Sequence, residues 1–170
     1  MMGTIAGQFD KLAAVYERNR LSGSYKAQAD YAIAELGESE EGLVLDVGCG
    51  TGRLLRKAVG SRPIIAAVCV SSLHYFSDPP AAVRKIYECL SPGAKFILVD
   101  RAKGGSMLTQ LWGFLHEHII KDHVRFYSSS ELLDIVKNAG FREVRVVTKI
   151  RKLFWKGKCF TSLALISAQK

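Results

Sequence analysis

The sequence predicts an α/β fold in which a mostly parallel sheet is finished by an antiparallel pair of strands. Three observations predict it. Short apolar runs at 43–47, 63–70 and 95–100 read as buried strands, because a parallel sheet covered on both faces needs near-continuous apolar segments. A glycine turn, Gly48-Cys49-Gly50-Thr51-Gly52, follows the first run directly. Two alternating segments, "FREVRVVTKI" and "CFTSLALISAQ", come at the C-terminal end.

The elements follow in order. Residues 5–20 and 23–36 have helical spacing, with Ile5, Phe9, Leu12, Val15 and Tyr16 on one face of the first. Ser22 or Ser24 caps the second helix and Gly37 ends it. After the polar break "GESEEG" comes "LVLDV", the first strand, and Gly52 to Val59 should be helical. "PIIAAVCV" is the second strand. In "SDPPAAVRKIYECLSPGA", Asp78 or Ser77 caps a helix whose prolines suit its first turn, and Ser91-Pro92-Gly93 stops it. "KFILVD" is the third strand. Residues 105–120 read as a helix. Ser128–Ser130 with Glu131 form a capping box for another, ended by Asn138-Ala139-Gly140. The two closing strands are joined by a basic segment containing Lys156-Gly157-Lys158.

At 170 residues the chain is expected to form one domain. No uninterrupted apolar stretch of about 18 residues occurs, which argues against a membrane span. The N-terminal segment has charge throughout and lacks a signal peptide's apolar core. Cys49, Cys69, Cys89 and Cys159 form no C-x-x-C pair, so the expectation is a reduced cytoplasmic protein without zinc. The net charge is +8, and from Phe141 onward eight basic residues face Glu143 alone, a balance of +7. The densest part, "RKLFWKGK", is either a solvated hairpin tip or a patch for nucleic acid or an anionic membrane surface.

The glycine turn carries the first chemical signal. Glycines allow positive φ and close approach to a ligand, and a helix start offers unpaired N–H donors. A dinucleotide site would require G-x-G-x-x-G, but Arg53 occupies the third glycine's place. The spacing is instead G-x-G-x-G with Asp46 two residues before it. A carboxylate there repels a pyrophosphate and suits an α-ammonium group. NAD is therefore disfavoured.

"VLDVGCGTGRLL" resembles the first motif of class I S-adenosylmethionine-dependent methyltransferases. "VCVSSLHYFSDPPAAVRKIYECLSPGAKFILVD" is similar to that family's fourth strand, next helix and fifth strand, and "VRFYSSSELLDIVKNAGFREVRVV" to its late helix and terminal strand pair. The nearest branch includes the ubiquinone and menaquinone biosynthesis methyltransferases. The resemblance implies a Rossmann-like core over 39–170 and an N-terminal helical cap over 1–38. It implies S-adenosylmethionine as cofactor, with Gly48, Cys49, Gly50, Thr51 and Gly52 lining its methionine end and Asp46 holding its ammonium group. Ser71, Ser72 and Leu73 would face the sulfonium and the substrate.

The pattern departs from the family after the first helix. Full-length members continue through a strand ending in an acid that grips the ribose, then a third strand whose acidic turn meets the adenine. Between Asp46 and Asp78 this chain has no Asp or Glu, and the resemblance implies that two strand-helix units of the family pattern are absent. A right-handed crossover then requires the helix to change face, the next strand to take another slot, or the segment to exchange between two chains. A domain-swapped homodimer would also cover the sheet edge left open.

For the chemistry, His74 is the candidate base or positioning residue, with Tyr75 beside it, while a plain surface-loop histidine is the bland alternative. His116 and His123 would border the substrate pocket. "HEHIIKDH" is not H-E-x-x-H, so no metal site is expected. Three functions remain in play. The first is methyl transfer to a small-molecule or lipid-like acceptor. The second is a catalytically impaired binding or assembly module. The third, an RNA methyltransferase, rests on the basic segment alone, since Ala81 stands where an Asp-Pro-Pro-Tyr motif needs its aromatic.

Overall fold

A computed structural model describes residues 24–37, 42–48, 63–102, 125, 127–150, 154–155, 158–159 and 162–170. Its sheet has five strands. Strands β1 (Leu43–Val47), β2 (Ile64–Val70) and β3 (Lys95–Ala102) run parallel to one another. The order continues through β7 (Ser162–Gln169) to β4 (Arg142–Ile150), giving β1-β2-β3-β7-β4. Strand β7 is antiparallel to both its neighbours, so it alone runs against the sheet. The antiparallel finish is therefore as the alternating pattern predicts.

The two-faced burial of the centre explains the continuous apolar runs. In β2 and β3, Ala67, Cys69, Phe96 and Leu98 point to one face, and Val68, Ile97 and Val99 to the other. The first face is covered by α2 (Pro79–Cys89) and α3 (Ser129–Asn138) through Val83, Ile86, Leu132 and Val136. Phe141 stacks on Phe96 with ring centroids 5.0 Å apart and meets the edge of Tyr87 at the same separation. The second face is covered by α1 (Ser24–Leu36), where Ala32 is fully buried beside Val68, Ile97, Val99 and Leu165. Alanines at 29 and 32 let that helix lie close to the sheet.

The N-terminal ends of α2 and α3 are set by the residues expected to set them. Asp78 caps α2 by accepting from the Ala81 N–H at 3.0 Å, with Pro79 and Pro80 opening the first turn. The Lys170 ammonium closes its other end, donating to the carbonyls of Tyr87 and Leu90 at 2.8 and 2.7 Å. Ser128 and Glu131 form the reciprocal capping box on α3. Within the basic segment, β5 (Phe154–Trp155) and β6 (Lys158–Cys159) form a two-residue antiparallel ladder. Among the described residues no helix is long and apolar enough to cross a membrane.

Strand β2 lies directly beside β1, with Val47 level with Cys69. Of the three ways to join the first helix to this strand, a different slot for the strand is not the one taken. The connecting residues 49–62, with the expected helix over 52–59, lie outside the described residues, as do the first 23 residues and 103–124. Strand β1 ends the sheet, with no outer partner among the described residues, and its positions stay partly exposed.

Candidate functional site

The site is built where β1, β2 and β3 end. Parallel strands direct their carboxyl ends to one rim, and open α/β sheets bind ligands in the crevice outside it. Asp46 is the penultimate residue of β1, level with Val68 of β2. Its carboxyl is half-buried, and loss of hydration pushes its pKa from 3.8 up to about 6. Among the described residues no cation offsets that burial.

Two residues on, Gly48 has φ +76°, and a side chain there would collide with Ser72. A glycine is thus needed on both counts, conformation and space. The Ser72 hydroxyl donates to the Val70 carbonyl at 2.9 Å, with the Gly48 carbonyl an alternative acceptor at 3.3 Å. This contact ties the glycine turn to the end of β2.

Ser71 is the turning point of that end. Its φ of +50° lies in the left-handed region, a conformation that a non-glycine residue holds only when its surroundings fix it. Its N–H donates to Val99 at 2.7 Å, and its hydroxyl donates to the Gln28 side-chain oxygen of α1 at 2.5 Å. Gln28 is buried, so the N-terminal helix is bonded directly to the rim.

The turn leads into a single 3-10 turn, Leu73–Tyr75. Leu73 sends its side chain into the core beneath α2, leaving its backbone at the rim. His74 is not a surface residue: its side chain is 1% exposed. Its Nδ1 lies 2.5 Å from Asp100 Oδ1, and its backbone N–H donates to Asp100 Oδ2 at 3.2 Å. The Arg101 N–H also donates to Asp100, at 2.6 Å from Oδ1. His74 Nε2 is buried and makes no hydrogen bond among the described residues. Tyr75 packs its ring 4.2 Å from the imidazole.

Tyr127 completes this side. A parallel bridge holds it beside Ala102, and the Arg125 N–H donates to the His74 carbonyl at 3.3 Å. The Arg125 guanidinium sits over the Tyr127 ring, 5.3 Å from its centroid, and the buried hydroxyl has no well-aligned partner among the described residues. Burial foremost pushes that hydroxyl's pKa up, with the Asp100 and Glu131 carboxylates adding to it and Arg125 opposing.

Of the residues singled out from the sequence, Asp46, Gly48, Ser71, Ser72, Leu73, His74 and Tyr75 come together on one rim. Cys49, Gly50, Thr51, Gly52, His116 and His123 lie outside the described residues. Asp100, Gln28 and Tyr127 were not anticipated. A charge ending the buried run "FILVD" and a glutamine within the alanine-rich α1 were the signals for the first two. No cluster of three metal-binding side chains occurs among the described residues.

The profile of a methyltransferase domain matches residues 58–146, just over half of the chain. The chain belongs to the methyltransferase-domain family. The matched part of this methyltransferase domain begins after the glycine turn and runs through β2, β3 and α3 into β4. An uncharacterized protein of Escherichia coli, YafE, is 30% identical over 102 residues, covering 57% of this chain. The chain spans about half the length of that curated relative, 49%. Among solved structures, a SAM-dependent methyltransferase from Thermotoga maritima is similar with a TM-score of 0.68 at 20% identity, covering 95% of this chain and 98% of its own. Phosphoethanolamine N-methyltransferase 2 of Haemonchus contortus, complexed with S-adenosyl-L-methionine, gives a TM-score of 0.70 at 12% identity over 95% of this chain and 57% of its own. These likenesses establish the fold.

Proposed function

We propose that this methyltransferase domain transfers a methyl group from S-adenosylmethionine to a small-molecule or lipid-like acceptor. The observation that carries the reading is Asp46: a half-buried carboxyl, with no cation among the described residues to offset its lost hydration, two residues before Gly48, where a side chain would collide with Ser72. An α-ammonium group would complete it. Asp46 and the backbone at Gly48 would hold the methionine end, with Ser71 and Ser72 bordering it on the β2 side. When bound, S-adenosylmethionine supplies an electrophilic methyl group on a positively charged sulfur. The chain's own task is then alignment of the acceptor and, where the acceptor atom is poorly acidic, removal of its proton. His74 is the residue for that second task, because its Nε2 has no partner among the described residues and its turn stands on the same rim.

A second reading rests on two observations. No acid lies between Asp46 and Asp78 to grip a ribose, and among the described residues β1 has no outer strand and is partly exposed. A binding or assembly module, formed as a homodimer across that edge, accounts for both.

Titration of the protein with S-adenosylhomocysteine, with Asp46→Ala as control, separates the readings. We expect micromolar affinity, weakened roughly 10- to 150-fold in the variant for loss of a charged hydrogen-bond partner. A folded protein that ignores millimolar ligand would refute the enzyme reading and leave the assembly module.

A further inference from the structure

The reading of His74 as the proton acceptor leaves unexplained why it is buried against a carboxylate. We propose that Asp100 is a positioning residue that holds His74 as the Nδ1–H tautomer, so that Nε2 takes the proton of an acceptor hydroxyl, and the reaction is an O-methylation. The inference rests on the methyltransferase reading and goes beyond it in naming the acceptor class.

The argument starts from donors and acceptors. Asp100 is fully buried at the end of β3 and receives two backbone N–H groups, from His74 and Arg101. Fully backbone-bonded in this way, its carboxylate is an acceptor, and the third group it meets is His74 Nδ1. A neutral imidazole with its proton on Nδ1 keeps the lone pair on Nε2. That atom is buried and unpartnered among the described residues, although buried polar atoms are nearly always bonded. Tyr127, held beside Ala102 where β3 ends, also has a buried hydroxyl without a well-aligned partner among the described residues. A ring nitrogen and a hydroxyl, both without partners among the described residues, suit a polar acceptor that carries a hydrogen.

The chemistry of the nucleophile selects among such acceptors. An amine that has given its ammonium proton to water presents a lone pair and can lose its remaining proton after the transfer, and a thiol ionises near neutral pH. Neither needs a dedicated buried base. An alcohol or phenol does, because its oxygen is a weak nucleophile until the proton leaves. In the balanced step the acceptor's O–H bond breaks as its oxygen–methyl bond forms, and the proton passes to Nε2. The sulfur–methyl bond breaks with its electron pair left on sulfur, giving a neutral thioether. The imidazolium, stabilised by Asp100, afterwards returns its proton to water.

The full chain labelled with [15N]histidine tests the positioning at pH 8, through two-bond proton–nitrogen correlations, with His74 assigned by its loss in His74→Asn. We expect the Nδ1–H tautomer in the wild type and a shift toward Nε2–H in Asp100→Asn. An Nε2–H tautomer or an imidazolium in the wild type, or no change in a folded Asp100→Asn, overturns the proposal. His74→Asn covers the case in which Asp100→Asn fails to fold, since its amide can still donate to Asp100. We expect it to bind S-adenosylhomocysteine as the wild type does and to form product roughly 10²–10⁴-fold more slowly. Product formation at the wild-type rate overturns the proposal.

Acceptor class is read by incubating the protein with S-adenosylmethionine carrying a 13C methyl group and a small-molecule cell extract. A methyl carbon attached to oxygen is the expected product. One attached to nitrogen, sulfur or carbon overturns the proposal. Tight S-adenosylhomocysteine binding with no labelled product also overturns it while the cofactor reading stands. Absence of that binding instead removes the methyltransferase reading itself.

Discussion

The two ends of the rim are built on opposite principles. On the β2–β3 side, His74 and Asp100 are buried, and two backbone N–H groups and the His74 Nδ1 converge on one carboxyl group. On the β1 side, Asp46 stands half-exposed on the last strand of the sheet, with burial raising its pKa and no cation among the described residues to lower it. One end is finished before any ligand arrives. The other lacks a counter-charge among the described residues. Preorganised geometry is worth most where chemistry happens, whereas a carboxyl awaiting its ion pair suits recognition.

The largest expected effect breaks the finished end. Leu73 is completely buried and anchors the 3-10 turn that carries His74. Leu73→Ala should destabilise the protein by about 2–5 kcal/mol, as large-to-small core changes do. Urea unfolding measures it. A loss below about 1 kcal/mol would mean that the turn is loosely held and that the contrast between the two ends is wrong.

An intermediate effect sharpens the unfinished end. With the Asp46 pKa raised from 3.8 to about 6, the folded protein keeps a proton that the unfolded chain releases between those values. Its contribution to stability is therefore full below about pH 4 and lost as pH rises through 6. Asp46→Asn removes this slope, so wild-type minus variant stability should decline from pH 4 to pH 7. Urea midpoints across that range check the sign. Saturating S-adenosylhomocysteine should reverse the decline by supplying the ammonium group that favours the ionised carboxylate. A wild-type advantage that grows with pH in the free protein would show that a cation already faces Asp46.

How much of this was legible in the sequence follows from the range of each signal. Local signals were read well. Asp78 before two prolines, Ser128 three residues before Glu131, and apolar runs bounded by turns each fix their element within a few residues. The Asp46–Gly48 turn was legible for the same reason. Asp100 was not, because its meaning comes from His74, 26 residues away, and strand pairing alone makes them neighbours. Gln28 meets Ser71 across 43 residues and two elements. Ser71 itself gave no hint of a positive φ, because nothing in "VSSLH" demands one. That conformation is imposed by the bonds to Val99 and Gln28.

The smallest effect probes the hinge between the two ends. Ser71 links the rim to α1 through Gln28 and holds φ +50° without being glycine. Ser71→Ala and Ser71→Gly both delete the bond to Gln28, so that loss cancels between them. What differs is the backbone. Left-handed φ costs an alanine about 1–2 kcal/mol, while glycine gives back about 0.4–1 kcal/mol through its freer unfolded chain. Ser71→Gly should therefore be the more stable of the two by a few tenths to about 1 kcal/mol, the reverse of the usual order. Paired urea midpoints decide it. If alanine proves more stable, the turn relaxes without its hydroxyl, and the link to α1, rather than the strand ends, sets the shape of the rim.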